Sequence, residues 1–235
     1  MKVTIHQPEH LPWLGFFHKV AQAELFVILD NVQFRKNYFQ NRNKIRTAGG
    51  WTWVKVPVTH GSDTLIKDIA ISDDSRWGKK WWGTIFYSYK KANFFEKYSG
   101  KLHDTVNREW KLLSELNIAL IEILLGYLGV DVKIVKASDL SVKGKGSELI
   151  LEICKEAGAS TYLSGISGKD YLKTEDFRKE DIEIVYQEFH HPIYKQLHEP
   201  FMPCMSVIDL LFNHGDDSLD IINGIGVPVM DKIFL

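Results

Sequence analysis

Residues 2–15 read KVTIHQPEHLPWLG, an apolar run that passes directly into polar, ring-bearing and proline residues. A second apolar run, LFVILD at residues 25–30, follows after a short connection. Open α/β sheets hold their ligands at the carboxyl ends of their strands. The two runs therefore predict two strands that deliver His6 and Asp30 to a site at one edge of a sheet.

The connection between these two runs indicates the fold class. Leu14, Phe17, Val20 and Ala21 are spaced as on one face of a helix, which predicts a helix within residues 13–23. Strand, helix and strand in this order make a parallel pair, the opening unit of a Rossmann-like sheet. We expect an α/β fold with a Rossmann-like, mostly parallel sheet. The chain has no GxGxxG pattern, which argues against dinucleotide binding.

The length of 235 residues fits one large domain or two small ones, and 45% hydrophobic residues can build a substantial core. We expect one domain over residues 1–235, with a mainly helical insertion at about 75–129. Hydrophobic periodicity also predicts the other strands and helices of the chain. The predicted strands are 51–58, 66–71, 132–135, 161–163 and 182–186, the predicted helices are 75–89, 95–129, 147–157 and 206–215, and the last twenty residues read as a closing tail.

Charge and cysteine usage narrow the class of protein. The 29 basic and 30 acidic residues nearly cancel, so any attraction to a polyanion must be local. The first six residues are too polar and too few for a signal peptide, and no apolar run approaches the roughly 18 residues of a spanning helix. We expect a cytoplasmic protein without a membrane span. Cys154 and Cys204 match neither a disulfide framework nor a metal signature and are predicted to be reduced thiols.

Two stretches are candidates for anion binding. Residues 35–46 carry five basic residues and no acidic one, with Tyr38 and Phe39 among them. They suit a phosphate, a diphosphate or a nucleic-acid backbone, or else form a solvated loop and short helix. Residues 164–172 read SGISGKDYL after a predicted strand, and such a loop either offers backbone N–H groups and Lys169 to an anion or is an ordinary glycine turn.

A further group of polar residues lies within residues 190–215. Ser206 is predicted to cap the helix that Gly215 ends. Asp209 and Asn213 lie four residues apart on its face, where they either cap a helix or pin a loop, or else contact a ligand. The adjacent pair His190 and His191 does not converge on one point, which argues against a metal site.

The opening motif, together with several later ones, resembles the WbqC-like protein family. The resemblance covers essentially the whole chain. The residues on which the resemblance rests are His6-Gln7-Pro8, residues 11–15, 26–30, 32–34 and 40–43, Tyr162-Leu163-Ser164-Gly165, Tyr194, Gln196, Ser206, Asp209, Leu210, Asn213 and Gly215.

The resemblance implies a role in bacterial polysaccharide and O-antigen synthesis. A transfer of glycine or another amino acid to an amino sugar has been suggested for that family. The implied enzyme forms an amide on the amino group of a nucleotide-linked deoxyamino sugar. Its activated donor is left open between glycine with ATP, a charged tRNA and an acyl-CoA thioester, and a homodimer is also left open.

Amide formation needs a deprotonated amine, an activated acyl group and donors for an oxyanion. His6 is the predicted general base, and Asp30 either orients it or takes the proton. Cys204 is a further candidate, as an acyl-carrying nucleophile. The residues predicted to bind hydroxyl or carbonyl groups of the substrate are Gln7, Gln33, Asn41 and Gln196, and those predicted to bind its diphosphate are Lys36, Arg42 and Lys169. Trp13 and Tyr194 are predicted to stack on the substrate, and Ser164, Gly165, Asp209 and Asn213 are predicted as further contacts. No metal is predicted.

Three alternatives remain at this point. A nucleotidyl or glycosyl transferase would act on similar substrates, but the chain has no DxD-like pair for a divalent metal. An adenylate-forming ligase is an analogy of fold alone, because the HxGH motif is absent. A non-catalytic protein that presents a nucleotide sugar or an aminoacyl-tRNA to another enzyme is the third.

Overall fold

The structure is a computed structural model that describes residues 1–74 and 76–230. In chain order, the strands are β1 (Lys2–His6), β2 (Leu25–Ile28), β3 (Arg42–Thr47), β4 (Gly50–Lys55), β5 (Val58–Thr59), β6 (Ala70–Ile71), β7 (Lys133–Lys136), β8 (Thr161–Ser164), β9 (Glu183–Tyr186), β10 (His191–Pro192) and β11 (Val229–Met230). The helices are α1 (Leu14–Val20), α2 (Trp77–Tyr89), α3 (Phe95–Val106), α4 (Leu113–Leu128), α5 (Ser147–Glu156), α6 (Thr174–Lys179), α7 (Val207–His214) and α8 (Ser218–Ile222).

The central sheet has five strands in the order β7-β2-β1-β8-β9, and every neighbouring pair is parallel. This confirms the predicted α/β class and the parallel pairing of the first two strands. The chain builds outward from β1 to β2 and β7, then returns to place β8 and β9 on the other side of β1. The strand order therefore reverses between β1 and β8, where doubly wound sheets hold their ligands.

Successive side chains of a strand point to opposite faces of the sheet, so each face carries its own part of the hydrophobic core. Val3 and Ile5 point to the face that α5 and α6 cover. Phe26 and Ile28 of β2 point to the opposite face, against α1 and a larger core that the insertion helices and α7 share. Both faces are buried, so the inner strands read as nearly continuous apolar runs.

The insertion between β2 and β7 begins with strands before it becomes helical. Strands β3 and β4 form an antiparallel hairpin, and β5 pairs with β6, ahead of helices α2 to α4. The helix predicted at 75–89 is α2, but the strand expected at 66–71 is a 3₁₀ turn at Ile66–Asp68 followed by β6. The predicted helix cap at residues 73–75 includes Ser75, which lies outside the described residues.

Two other predictions need correction. The helix expected over 95–129 is two helices, because the backbone of residues 111–113 pairs with that of Ile69 and Ile71 between them. Its predicted end is correct, since Gly129 ends α4 with a left-handed φ of 68°. The expected closing tail contains α8 and β11, and β11 pairs with β10. Among the described residues, no helix has the length and apolar character needed to cross a membrane.

Candidate functional site

A cleft opens at the carboxyl ends of β1 and β8, where the strand order reverses. It consists of two adjoining cavities of about 190 and 200 Å³. Both cavities are lined by His6, Glu9, Lys19, Tyr38, Gly165 and Ser167, so these residues form the boundary at which the cavities meet. The fold thus provides room for two ligand groups that approach one another.

The two cavities differ in the side chains that line them. The first, called here the aromatic compartment, has walls from Trp13, Phe16 and Phe39. Gly15 makes space for the Trp13 ring, since a Cβ atom at Gly15 would lie 2.4 Å from it. The second, the polar compartment, is lined by polar and basic groups that include Gln7, Arg35, Ser164 and Tyr171.

Glu9 is held at the floor of the cleft by a rigid loop. Its neighbour His10 is fully buried, accepts a hydrogen bond from Trp81 Nε1 at 2.8 Å, and lies 2.8 Å from Asn117 Oδ1 through its Nδ1 atom. Asn117 Nδ2 also donates to the carbonyl of Pro8 at 2.9 Å. These bonds fix the backbone on both sides of Glu9, a buried carboxyl group whose Oε2 has no hydrogen-bond partner among the described residues.

Lys19 reaches the same floor from α1. Helical side chains tilt toward the helix amino terminus, so Lys19 extends back toward the cleft. It is only 4% exposed, and its Nζ donates to the carbonyl of Ile5 at 3.3 Å. Gly165 lies over this ammonium group, because a Cβ atom added there would be 3.9 Å from Nζ. A buried lysine with one long hydrogen bond retains donors for a ligand.

His6, at the end of β1, lines both cavities together with Glu9 and Lys19. Its Nδ1 lies 3.1 Å from the carbonyl of Gln7, and its ring packs edge-on against Phe16 at 4.9 Å. Since a carbonyl only accepts, Nδ1 carries the proton and Nε2 keeps its lone pair. Burial and then the charge of Lys19 lower the pKa of His6 to about 3. His6 is therefore neutral at pH 7 and a weaker base than an ordinary histidine.

The pKa values of the two charged groups move toward neutrality. Burial raises the pKa of Glu9 to about 7, against the smaller opposing effect of the Lys19 charge. Burial lowers the pKa of Lys19 to about 8, against the opposing effect of Glu9. Groups that gain or lose protons near pH 7 are suited to acid and base chemistry, and they cluster at functional sites.

The loop after β8 forms the opposite wall. Residues Ile166–Asp170 make a 3₁₀ turn, and Gly168 packs so closely that a Cβ atom would lie 2.1 Å from Ser164 Oγ. A larger residue at this position would displace the side chains of Ser164 and Leu172, so Gly168 lets the loop pack closely against the end of β8. The side chain of Lys169 turns away from the cleft wall and lies 5.2 Å from the ring centre of Tyr186.

The structure brings part of the sequence-predicted site together. The predicted residues that line the cleft are His6, Gln7, Trp13, Ser164 and Gly165. Gln7 is also fixed in place, because its Oε1 accepts a hydrogen bond from Gln40 at 2.6 Å. Their roles toward a substrate stay predictions.

Asp30 lies elsewhere, which corrects the predicted pairing with His6. Its two oxygens accept bonds from the backbone N–H and the hydroxyl of Ser138, at 2.9 and 2.6 Å. Ser138 follows β7, the neighbour of β2 on the side away from β1. Asp30 does end its strand at the expected edge of the sheet, but it faces the outer strand rather than the cleft.

Four more predicted residues form a buried network. The Asp209 carboxylate accepts hydrogen bonds from Tyr89 at 2.9 Å and from Tyr194 and Gln196 at 2.8 Å. Asn213 donates to the backbone carbonyl of Asp209 at 2.6 Å. Burial raises the pKa of Asp209, but the three donors hold its charge inside the fold. The network joins α7 to α2 and to the segment of Tyr194 and Gln196, and a role of these residues toward a ligand stays a prediction.

The remaining predicted contacts lie on the surface or in the insertion. Gln33 bonds to the carbonyl of Ser62, and Asn41 to that of Val56. Lys36 is exposed, and the Arg42 guanidinium lies 4.2 Å from the Trp53 ring centre. Residues 35–46 were predicted either to bind an anion or to form a solvated loop and short helix, and residues 42–46 of this stretch belong to strand β3.

The two thiols are free, as predicted. Burial raises the pKa of Cys154 to about 12. Cys204 lines the aromatic compartment, but burial raises the pKa of its thiol as well, against a smaller effect of Lys44, so it is not activated as a nucleophile. Within residues 1–74 and 76–230, no group of three or more His, Cys, Asp and Glu side chains is placed to hold a metal ion.

Glu9 and Lys19 are not among the site residues predicted from the sequence. One available signal was a lysine in the short helix LGFFHKV, where apolar residues on all sides indicate burial. Another was a carboxyl group between two prolines at the end of a strand. Neither signal reveals that the two side chains line the same cleft, because that depends on the packing of α1 on β1.

The fold and the cleft define a Rossmann-like α/β protein with a two-compartment site at its switch point. The profile of the WbqC-like protein family matches residues 7–221, so the chain belongs to that family. It is 31% identical over 223 residues to a Mycobacterium tuberculosis protein named "Uncharacterized protein Rv1507c", covering 93% of this chain and 96% of that protein. No solved structure gives a significant match.

Proposed function

We propose that this protein is a cytoplasmic amide-forming transferase, which adds glycine or a similar acyl group to the amino group of a nucleotide-linked deoxyamino sugar. The product would enter surface polysaccharide synthesis. The observation that carries this proposal is the meeting of two compartments at the buried Glu9 and Lys19. A transfer between two substrates needs such a geometry, with acid and base groups at the point of contact.

The compartments suit different substrates. The polar compartment offers Arg35 and the serine and glycine loop after β8 to a diphosphate. The aromatic compartment offers the Trp13 and Phe39 rings to the acyl donor, with Lys44 at its border. The amino group and the acyl carbon would then meet above Glu9 and Lys19.

The proposed reaction uses these two side chains in turn. The carboxyl group of Glu9, which lines both cavities, takes a proton from the substrate amine, whose nitrogen then attacks the acyl carbonyl. Lys19 stabilises the oxyanion that forms. The new C–N bond remains when the bond from the acyl carbon to its leaving group breaks, and Glu9 returns the proton to that leaving group. Neutral His6 accepts a hydrogen bond at Nε2 and orients the amine.

The test is mass spectrometry of dTDP- and UDP-linked amino sugars incubated with the purified protein. Glycine with ATP, charged tRNA and acyl thioesters are supplied in separate tubes. We expect a mass gain on one sugar in one of the tubes, which identifies the donor. The gain should disappear with Glu9→Gln and persist with Glu115→Gln, an exposed glutamate on α4. Sugar binding by calorimetry without any gain would contradict the proposal and indicate a binding protein.

A further inference from the structure

The insertion carries an unusual concentration of positive charge. Residues 31–62 contain six basic residues and no acidic one, in a chain whose net charge is −1. Arg46 is buried, where its guanidinium donates to four backbone carbonyls. The other five form no ion pair with any residue that the structure describes. Their charge remains available to an anionic partner.

Aromatic rings connect this charge to the cleft. Trp51 and Trp53 pack edge to face with ring centres 5.4 Å apart, Phe39 lies 6.3 Å from Trp53, and Tyr38 lies 5.2 Å from Phe39. Lys44 Nζ is 5.3 Å from the Trp51 ring centre. Trp51 and Tyr38 are 45% and 42% exposed. Rings and cations thus alternate along one surface.

The strand register places these side chains on one face of the hairpin. Lys44 pairs with Trp53, and Arg42 pairs with Lys55, while Ile45 and Val54 point to the core. Tyr38, Phe39 and Lys44 also line the aromatic compartment, so the surface is continuous with the cleft. We call this surface the aromatic–basic strip, consisting of Arg35, Tyr38, Phe39, Arg42, Lys44, Trp51, Trp53 and Lys55.

We infer that the aromatic–basic strip binds a single-stranded RNA, and that this RNA carries the acyl group into the aromatic compartment. Basic grooves that alternate with aromatic rings bind single strands, because unpaired bases stack on the rings while cations contact the phosphates. A duplex does not expose its base faces, and the several rings and cations of the strip offer contacts to more than one nucleotide. The acyl donor would be an ester of a ribose hydroxyl. Its C–O bond breaks as the amide forms, and the hydroxyl receives the proton from Glu9.

This inference rests on the proposed function for the fate of the acyl group, but RNA binding can be measured separately. The probe is a fluorescent single-stranded RNA of about 12 nucleotides, within the range of known single-strand sites. Anisotropy titrations compare it with the same RNA as a duplex, with inorganic polyphosphate and with ADP or UDP as competitors. We expect the single strand to bind at least tenfold tighter than the duplex, with affinity falling steeply as salt rises.

Paired variants separate stacking from charge. Trp51→Ala should weaken binding of the single strand about tenfold and leave polyphosphate binding unchanged. Lys55→Ala should weaken both and lower the salt slope by about one. The matched controls are Tyr87→Ala and Lys79→Ala on α2, which present an exposed ring and an exposed amine away from the strip. Both should bind the RNA as the wild type does.

Several results would overturn the inference. Equal affinity for duplex and single strand would mean binding by charge alone. Displacement of the RNA by ADP or UDP at equal nucleotide concentration would make the strip a mononucleotide subsite. Equal losses in Trp51→Ala and Tyr87→Ala would exclude a specific strip. Acyl transfer from glycine with ATP, without RNA binding, would reject this inference but leave the proposed function. RNA binding without any acyl transfer would leave the strip as an RNA-binding surface and reject both the proposed function and the acyl-carrying role of the RNA.

Discussion

Glu9 and Lys19 are charged side chains that the fold buries without giving them full sets of partners. An isolated buried charge costs several kcal/mol. Burial therefore favours the neutral form of each group, which raises the pKa of a carboxyl group and lowers the pKa of an amine. The pKa of Glu9 is raised to about 7 and that of Lys19 is lowered to about 8. The two therefore remain a negative and a positive group only in a narrow range around neutral pH.

The first prediction concerns the ionisation of Lys19. Reductive methylation in short pulses over a range of pH, followed by peptide mass spectrometry, measures the fraction of neutral amine. We expect a midpoint near pH 8. Because the Glu9 charge stabilises the ammonium form, Glu9→Gln should move the midpoint of Lys19 to lower pH.

Glu115→Gln serves as the control for that experiment, since it removes an exposed carboxylate on α4 and should leave the midpoint unchanged. A Lys19 midpoint near the ordinary lysine value of about 10.4 would contradict the burial on which the site depends. An unchanged midpoint in Glu9→Gln would mean that the two groups do not interact.

At the scale of elements, α4 of the insertion supports the loop that carries Glu9. Asn117 is fully buried and bonds with His10, with the carbonyl of Pro8 and with the carbonyl of Gln40 at 2.7 Å. Hydrogen bonds inside the core are costly to leave unmade, at about 1–3 kcal/mol for each unpaired group. One side chain of the insertion therefore fixes the floor of the cleft.

The second prediction follows from these three bonds. Asn117→Ala leaves two carbonyls and one imidazole N–H without partners, so we expect the free energy of unfolding to fall by about 3 kcal/mol or more. Urea denaturation at pH 7 measures this change. Asn107→Ala, at the exposed end of α3, should change it by less than about 0.5 kcal/mol. Equal effects of both substitutions would show that α4 does not hold the loop.

The individual elements were largely predictable, for physical reasons that are local. Strands β1 and β2 are short, β-branched or aromatic runs, and α4 has a regular apolar face with Gly129 at its end. The β3–β4 hairpin was predicted only in part, because the alternating basic residues of β3 read equally well as a solvated loop. Its strand form depends on pairing with β4, which no local pattern shows.

At the scale of the whole molecule, strand order decides which predicted residues meet. His6 and Asp30 end neighbouring strands, as the sequence indicated, yet the return of the chain to β8 places the cleft on the far side of β1 from β2. Gly165 thus lines the cleft together with His6, and Asp30 becomes a partner of Ser138. Strand order results from long-range packing, so the sequence could predict the edge of the sheet but not the cleft.

The contacts of Asp209 likewise depend on long-range packing. Tyr194, Gln196, Asp209 and Asn213 are polar residues within a short stretch, which is typical of a ligand site and of a buried network alike. The buried network depends on Tyr89 of α2, whose hydroxyl supplies one of the bonds that satisfy the Asp209 carboxylate, and no local pattern predicts this contact.

The most direct test of the central claim compares Glu9→Gln with Asp30→Asn in the acyl-transfer reaction, at saturating concentrations of both substrates. If the cleft between β1 and β8 is the active site, Glu9→Gln lowers kcat by about 100-fold or more, because general base catalysis contributes factors of that size. Asp30→Asn should lower stability through its lost bond to Ser138, while kcat of the folded protein stays within about twofold. The reverse pattern, with Asp30→Asn inactive and Glu9→Gln fully active, would contradict the account and place the chemistry at the end of β2.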